Sequence, residues 1–206
     1  MPWWPFANRL LTMGQKIKVE IQTGEIFAVA VALLMLPLSF LISFLAAAAV
    51  HELCHYLALR LAGVKMYRIS IGPSGASMET EPMEPGREVL CAAAGPVGSF
   101  LLVAGYKFFP EMALCALIQG CFNLLPIHPL DGGRIVKGIL ELLKVPKGER
   151  IFVYIQLLTG GMVGVVCLYG FLRWNLGFGV LLLGAMMVLR ALVIKTPCKE
   201  GLFGVQ

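Results

Sequence analysis

The chain has little charge and a high content of apolar residues. Charged residues make up 14% of its 206 residues, whereas soluble domains have about 25%, and 58% of its residues are hydrophobic. Several apolar runs approach the ~20 residues needed to cross a bilayer. They are continuous, whereas barrel strands would alternate. This composition excludes an ordinary soluble domain and predicts an all-α polytopic membrane protein.

Disulfide and nucleic-acid signatures are also absent. The six cysteines lack CxxC spacing and lie mostly inside apolar runs, which is typical of small buried residues and not of a disulfide framework. The net charge of +5 is spread over the loops, so we expect no nucleic-acid partner. The length predicts one membrane-embedded domain over residues 1–206 and leaves no room for a sizeable soluble domain of the CBS or PDZ kind.

The apolar runs predict about six transmembrane helices. They cover approximately residues 24–36, 38–62, 88–106, 111–126, 151–172 and 176–194. A short amphipathic helix is predicted within 132–150. Alternation of polar and apolar residues at 16–22 and 66–81 predicts a strand and a hairpin, which would form a small β sheet at the membrane surface.

The only three histidines and the only aspartate lie in two short motifs. The first, HELCH at residues 51–55, places His51 and His55 one turn apart on the same helix face. In the HExxH pattern both histidines bind zinc and the glutamate, here Glu52, is the general base. A glutamate in hydrocarbon costs about 3 kcal/mol on insertion scales, so Glu52 indicates a functional site.

The second motif, NLLPIHPLDGGR at residues 123–134, offers candidates for a third ligand. A hydrolytic zinc site uses three protein ligands and one open position, and Asp131 and His128 are the two candidates. Asp131 lies where the fourth predicted helix breaks, and broken backbone at membrane depth is typical of a cavity lining. Asn123 would hydrogen-bond either a substrate carbonyl or a neighbouring helix.

Both motifs resemble those of the site-2 protease family of intramembrane zinc metalloproteases. The resemblance rests on HELCH, on Ala94-Gly95-Pro96 in the next helix, and on NLLPIHPLDGGR, in that order. It covers about residues 16–145, with the helices at 151–194 outside it. The chain is most similar to the compact bacterial branch that includes the sporulation protease for pro-sigma-K.

The resemblance implies one Zn²⁺ per chain, held by His51, His55 and Asp131, with Glu52 as the catalytic base. By the same pattern Asn123 positions the substrate, a transmembrane or membrane-associated protein cut in or near its membrane segment. It further implies a multi-pass protein of the cell membrane, embedded in the lipid bilayer, with a regulatory membrane protein as a partner.

Two residues depart from the family pattern. Cys54 stands where the family commonly has glycine, about 60° from His51 around the helix. Its thiol either approaches the metal or packs as a small residue. His128 stands where the family commonly has a residue that binds no metal. His128 either hydrogen-bonds a metal ligand, contacts the substrate or is an ordinary loop residue.

Loop charges predict the orientation in the membrane. With six spans, one face carries only Lys107 and Arg173, and the other carries 15 of the 17 lysines and arginines. The positive-inside rule makes the second face cytoplasmic. Both termini, and both motifs, are therefore predicted to lie toward the cytoplasmic side.

Two other classes of function compete with a protease. A divalent-metal transporter would also hold histidine and aspartate at membrane depth, although it needs polar sites across the whole bilayer. A catalytically inactive scaffold is the third hypothesis. For a protease, the strand-like segments are predicted to accept an unwound substrate as an added strand, and proline at Ile69 or Ile71 is the test that this prediction suggests.

Overall fold

The computed structural model describes residues 18–21, 37–72, 75–175 and 177–192. The chain divides into two compact units, Met1–Leu124 and Leu125–Gln206, and each is described by itself. The predicted first helix at 24–36 and both chain ends lie outside the described residues. The single domain over the whole chain stays a prediction.

Three helices form most of the first unit: α1 (Leu38–Leu61), α2 (Pro85–Val103) and α3 (Pro110–Asn123). A proline stands at or just before each helix start, where its missing N–H costs no helical hydrogen bond. α1 ends because Gly63 takes a left-handed φ of 69°, which glycine adopts at little cost. The helices pack pairwise.

A three-stranded sheet completes the first unit, with β1 (Lys18–Ile21), β2 (Met66–Gly72) and β3 (Gly75–Thr80) in that order. β2 and β3 form the predicted antiparallel hairpin, and β1 pairs in parallel with β2. The sequence thus predicted both strand segments, although alternation alone could not predict the parallel pairing.

The position of β2 changes the test of strand addition. Ile69 and Ile71 lie in the central strand and have paired residues in both neighbouring strands. A proline at either residue would break the sheet itself and would not selectively block an open edge. Strand addition therefore stays a prediction, and it concerns the outer edges of β1 and β3.

The second unit contains α4 (Asp131–Leu142), α5 (Gly148–Trp174) and α6 (Phe178–Leu192). α4 is the predicted amphipathic helix, and it ends earlier than the range of 132–150 suggests. α5 and α6 pack closely because small residues face each other: a Cβ on Gly160 would lie 2.5 Å from the Cβ of Ala191.

Among the described helices, α1, α2 and α5 are long and apolar enough to cross a membrane, and α6 is a shorter apolar helix. Their surfaces expose large apolar side chains such as Leu61, Tyr154 and Leu172, as lipid-facing helices do. The mostly helical fold class with a small sheet is confirmed. α3, with 14 residues, is shorter than an ordinary span, and the count of six spans stays a prediction.

Candidate metal centre

The two histidines of HELCH bring their Nε2 atoms close together. His51 and His55 lie one turn apart on the buried face of α1, and His51 is 1% exposed. The two Nε2 atoms are 3.3 Å apart. Two nitrogens that bind one tetrahedral zinc at about 2.0–2.1 Å are separated by about 3.3 Å, so the pair has the spacing of two ligands of one ion.

Helix α2 fixes the other nitrogen of each ring. His55 Nδ1 donates to the backbone carbonyl of Cys91 at 2.8 Å, which leaves the Nε2 lone pair for a metal. His51 Nδ1 lies 2.8 Å from the hydroxyl of Ser99, which is fully buried and can accept the Nδ1 proton when the ring has the same tautomer. Metal-binding histidines commonly have such a partner, which sets the ring orientation and the basicity of the ligand nitrogen.

Gly95 of α2 lets that helix approach the two nitrogens closely. A Cβ at this position would lie 2.1 Å from Nε2 and 2.6 Å from Cε1 of His55, and 2.7 Å from Nε2 of His51. All three distances are well below van der Waals contact, so a methyl group there would displace the imidazole nitrogens that an ion needs. The histidine spacing and the ring partners fit a zinc ion.

The other residues of the first unit surround this pair. Asn123, the last residue of α3, brings its amide Nδ2 to 3.2 Å from Nε2 of His51. Glu52 is half-buried beside the pair on α1. Cys54 packs against α2, because a Cβ on Gly98 would lie 2.2 Å from its Sγ, and this contact agrees with the packing role considered for it.

Asp131 and His128 belong to the second unit. Asp131 is the first residue of α4 and is 8% exposed. The positive end of the helix dipole favours a carboxylate there. His128 is exposed, and its backbone N–H donates to Oε1 of Gln156 at 3.0 Å. The two candidates for the third ligand therefore differ in burial.

Sequence reasoning missed the supporting residues of α2 and α5. Cys91, Gly95 and Ser99 recur at every fourth residue, which places them on one face of α2. That stripe of small residues is visible in the sequence, and it could have indicated the face that meets HELCH. Gln156 had a weaker signal, as a lone amide within an apolar run.

The chain is similar to known proteins in sequence and in fold. Residues 103–165, which contain the second motif, match the model of peptidase family M50. The zinc metalloprotease MJ0392 of Methanocaldococcus jannaschii is 31% identical over an alignment 105 positions long, which covers 44% of this chain and 31% of that protein. The chain is therefore similar to peptidase family M50 and to proteins named zinc metalloproteases.

A solved site-2 protease from Methanocaldococcus jannaschii has the same fold. The superposition covers 94% of this chain and 96% of that chain, with a TM-score of 0.58 at 19% sequence identity. The long apolar helices α1, α2 and α5, together with the match to this peptidase family, indicate a membrane protein. The matched region spans less than a third of the length of the curated relatives.

Proposed function

We propose that the protein is a membrane-embedded zinc metalloprotease that hydrolyses peptide bonds in or near transmembrane segments of other membrane proteins. The observation that carries this proposal is the histidine pair on α1. Two buried Nε2 atoms lie 3.3 Å apart, in close contact with α2 at Gly95. The helix that holds them is apolar and long enough to cross a bilayer.

One Zn²⁺ per chain is held by His51, His55 and Asp131 in this proposal. A carboxylate is an ordinary zinc ligand beside two histidines, and a buried carboxylate needs a compensating charge such as a metal ion. Asp131 is buried, whereas His128 is exposed. The family resemblance also assigns the ligand position to Asp131.

Zinc, when bound, supplies a Lewis acid that polarises the scissile carbonyl and makes a water molecule more acidic. Glu52, adjacent to a ligand on the half-buried side of α1, accepts a proton from the attacking water and transfers it to the leaving amine. Asn123 reaches the same space with an amide N–H. It donates to the substrate carbonyl as negative charge develops there.

The orientation proposed here places both termini and the active site toward the cytoplasm. The proposal rests on the predicted six-span topology, in which Lys107, after α2, and Arg173, in the last turn of α5, are the only lysine or arginine residues of one face. The basic segment after α4 is then assigned to the other face. Reporter fusions after residues 107 and 145 should report opposite sides of the membrane.

A divalent-metal transporter is less well supported. Transport needs ligands at successive depths across the bilayer, yet the sequences of α5 and α6 contain no histidine and no aspartate. Glu52 has a defined role in hydrolysis and none in transport.

Metal content and cleavage together test the proposal. In purified protein, His51→Ala, His55→Ala and Asp131→Ala should lose zinc, whereas His128→Ala should retain it. Full zinc retention in Asp131→Ala would refute the ligand assignment. Co-expression with a single-span substrate should show cleavage by the wild type, and none by Glu52→Gln with its zinc still bound.

Glu111→Gln is a matched control, because Glu111 is an exposed carboxylate at the start of α3. It should cleave as the wild type does. Cleavage that persists in Glu52→Gln at the wild-type rate would rule out Glu52 as the base.

A further inference from the structure

Gln156 is a buried amide in the apolar helix α5. The residue is 3% exposed, and both ends of its amide are hydrogen-bonded. Oε1 accepts from the backbone N–H of His128 at 3.0 Å, and Nε2 donates to the backbone carbonyl of Ala191 at 3.1 Å. A buried amide without partners would be costly, and here both groups bind backbone from other segments.

The first of these segments is the loop that leads into α4. Its Ile127 is fully buried, and its carbonyl accepts from the N–H of Leu130 at 2.8 Å. A Cβ on Gly133 would lie 2.8 Å from the backbone nitrogen of His128. The loop is therefore folded tightly against the first turn of α4, where Asp131 lies.

The second segment is the part of α6 that contains Ala191. The amide of Gln156 bonds the Ala191 carbonyl and one N–H of the loop at the same time. A primary amide can do so because it carries a donor and an acceptor on one planar group.

We propose that Gln156 is a positioning residue for the metal centre. It fixes the loop before Asp131 to α5 and α6, and so makes the placement of the Asp131 carboxylate depend on the packing of these two helices. This inference rests on the proposed function for its link to zinc, whereas the link between Gln156 and the loop can be tested without metal.

The test compares Gln156→Met with Cys167→Ala. Methionine has a similar length but forms neither hydrogen bond. Cys167 is a matched control, because it lies in the same helix interface, where a Cβ on Gly184 would lie 2.7 Å from its Cβ. Both variants should weaken the packing of α5 and α6, but only Gln156→Met should free the loop.

Two measurements distinguish them. Hydrogen exchange of a peptide spanning residues 124–134 should speed up at least about tenfold in Gln156→Met and stay at the wild-type rate in Cys167→Ala. Zinc affinity, measured by chelator competition, should fall about tenfold in Gln156→Met, at the lower end of the effect of removing a support of a metal ligand, and should be unchanged in Cys167→Ala.

Exchange and affinity at wild-type values in Gln156→Met would overturn the inference, as would equal changes in both variants. If Gln156→Met does not fold, Gln156→Asn replaces it, since its amide is one methylene too short to bond both partners. Hydrogen exchange of the loop peptide at the wild-type rate in Gln156→Asn would equally refute the positioning role of Gln156. A wild type that binds no zinc would refute the proposed function, while the exchange result would still decide the role of Gln156 in the loop.

Discussion

Replacing Gly95 by alanine should remove zinc while leaving every proposed ligand in place. The new Cβ would lie 2.1 Å from Nε2 of His55 and 2.7 Å from Nε2 of His51, whereas ordinary contacts need about 3.5 Å. The imidazole of His55 must therefore move by about 1.4 Å, several times the ~0.2 Å tolerance of a metal–ligand distance. We expect zinc affinity to fall at least ~100-fold.

The control for this experiment is Gly98→Ala, one turn further along α2. Its Cβ would lie 2.2 Å from Sγ of Cys54, so it crowds the same pair of helices as Gly95→Ala does. Crowding of a packed interface costs about 1–3 kcal/mol, and both variants should show similar losses of thermal stability. Only Gly95→Ala directs its methyl group at the histidine nitrogens.

The assay is zinc content of the purified protein, followed by chelator competition to obtain the affinity. Gly98→Ala should bind one zinc ion with near wild-type affinity, and Gly95→Ala should bind none under the same conditions. Stoichiometric zinc in Gly95→Ala at wild-type affinity would refute the placement of the ion between the two histidines. An equal loss of zinc in both variants would show that separation of the two helices, and not displacement of the histidine nitrogens, is responsible.

Two further substitutions test the supports of the site. Ser99→Ala removes the hydroxyl that lies 2.8 Å from Nδ1 of His51, and chelator competition should show zinc affinity lowered about 10–100-fold; unchanged affinity would contradict the role of the hydroxyl. Gly133→Ala would bring a Cβ to 2.8 Å from the backbone nitrogen of His128, and thermal unfolding should show a loss of about 1–3 kcal/mol. Gly161→Ala, which meets nothing within 4 Å, should be neutral or stabilising by up to about 1 kcal/mol, and a loss equal to that of Gly133→Ala would contradict the explanation.

The sequence predicted the elements and the proposed site through local periodicity. HELCH encodes its own geometry, because residues four apart share a helix face wherever that helix lies. The hairpin at 66–81 is similarly local, since its turn and its alternation lie within one short stretch. Apolar runs likewise predicted α1, α2 and α5, within a few residues at each end.

Local periodicity could not predict the contacts between segments that are distant in the sequence. The parallel pairing of β1 with β2 joins residues about fifty positions apart, and nothing in either strand alone specifies its partner. Ser99 and Cys91 of α2 are hydrogen-bond partners of the two histidines of α1. Gln156 of α5 bonds the backbone of His128 in the loop before α4 and of Ala191 in α6. Each is an ordinary residue in its own segment, and its role arises only from what packs against it.

The contacts of α2 also explain how the two histidines of the proposed zinc site can be oriented before an ion binds. Both Nδ1 atoms are engaged, so each imidazole is held in one orientation with its Nε2 directed at the shared space. Folding of the first unit has then already ordered two side chains that binding would otherwise have to order. Gly95 adds a complementary requirement, because a Cβ at this position would push the two Nε2 atoms out of this arrangement. The geometry of the centre thus depends on the small residues of α2 as much as on the histidines of HELCH.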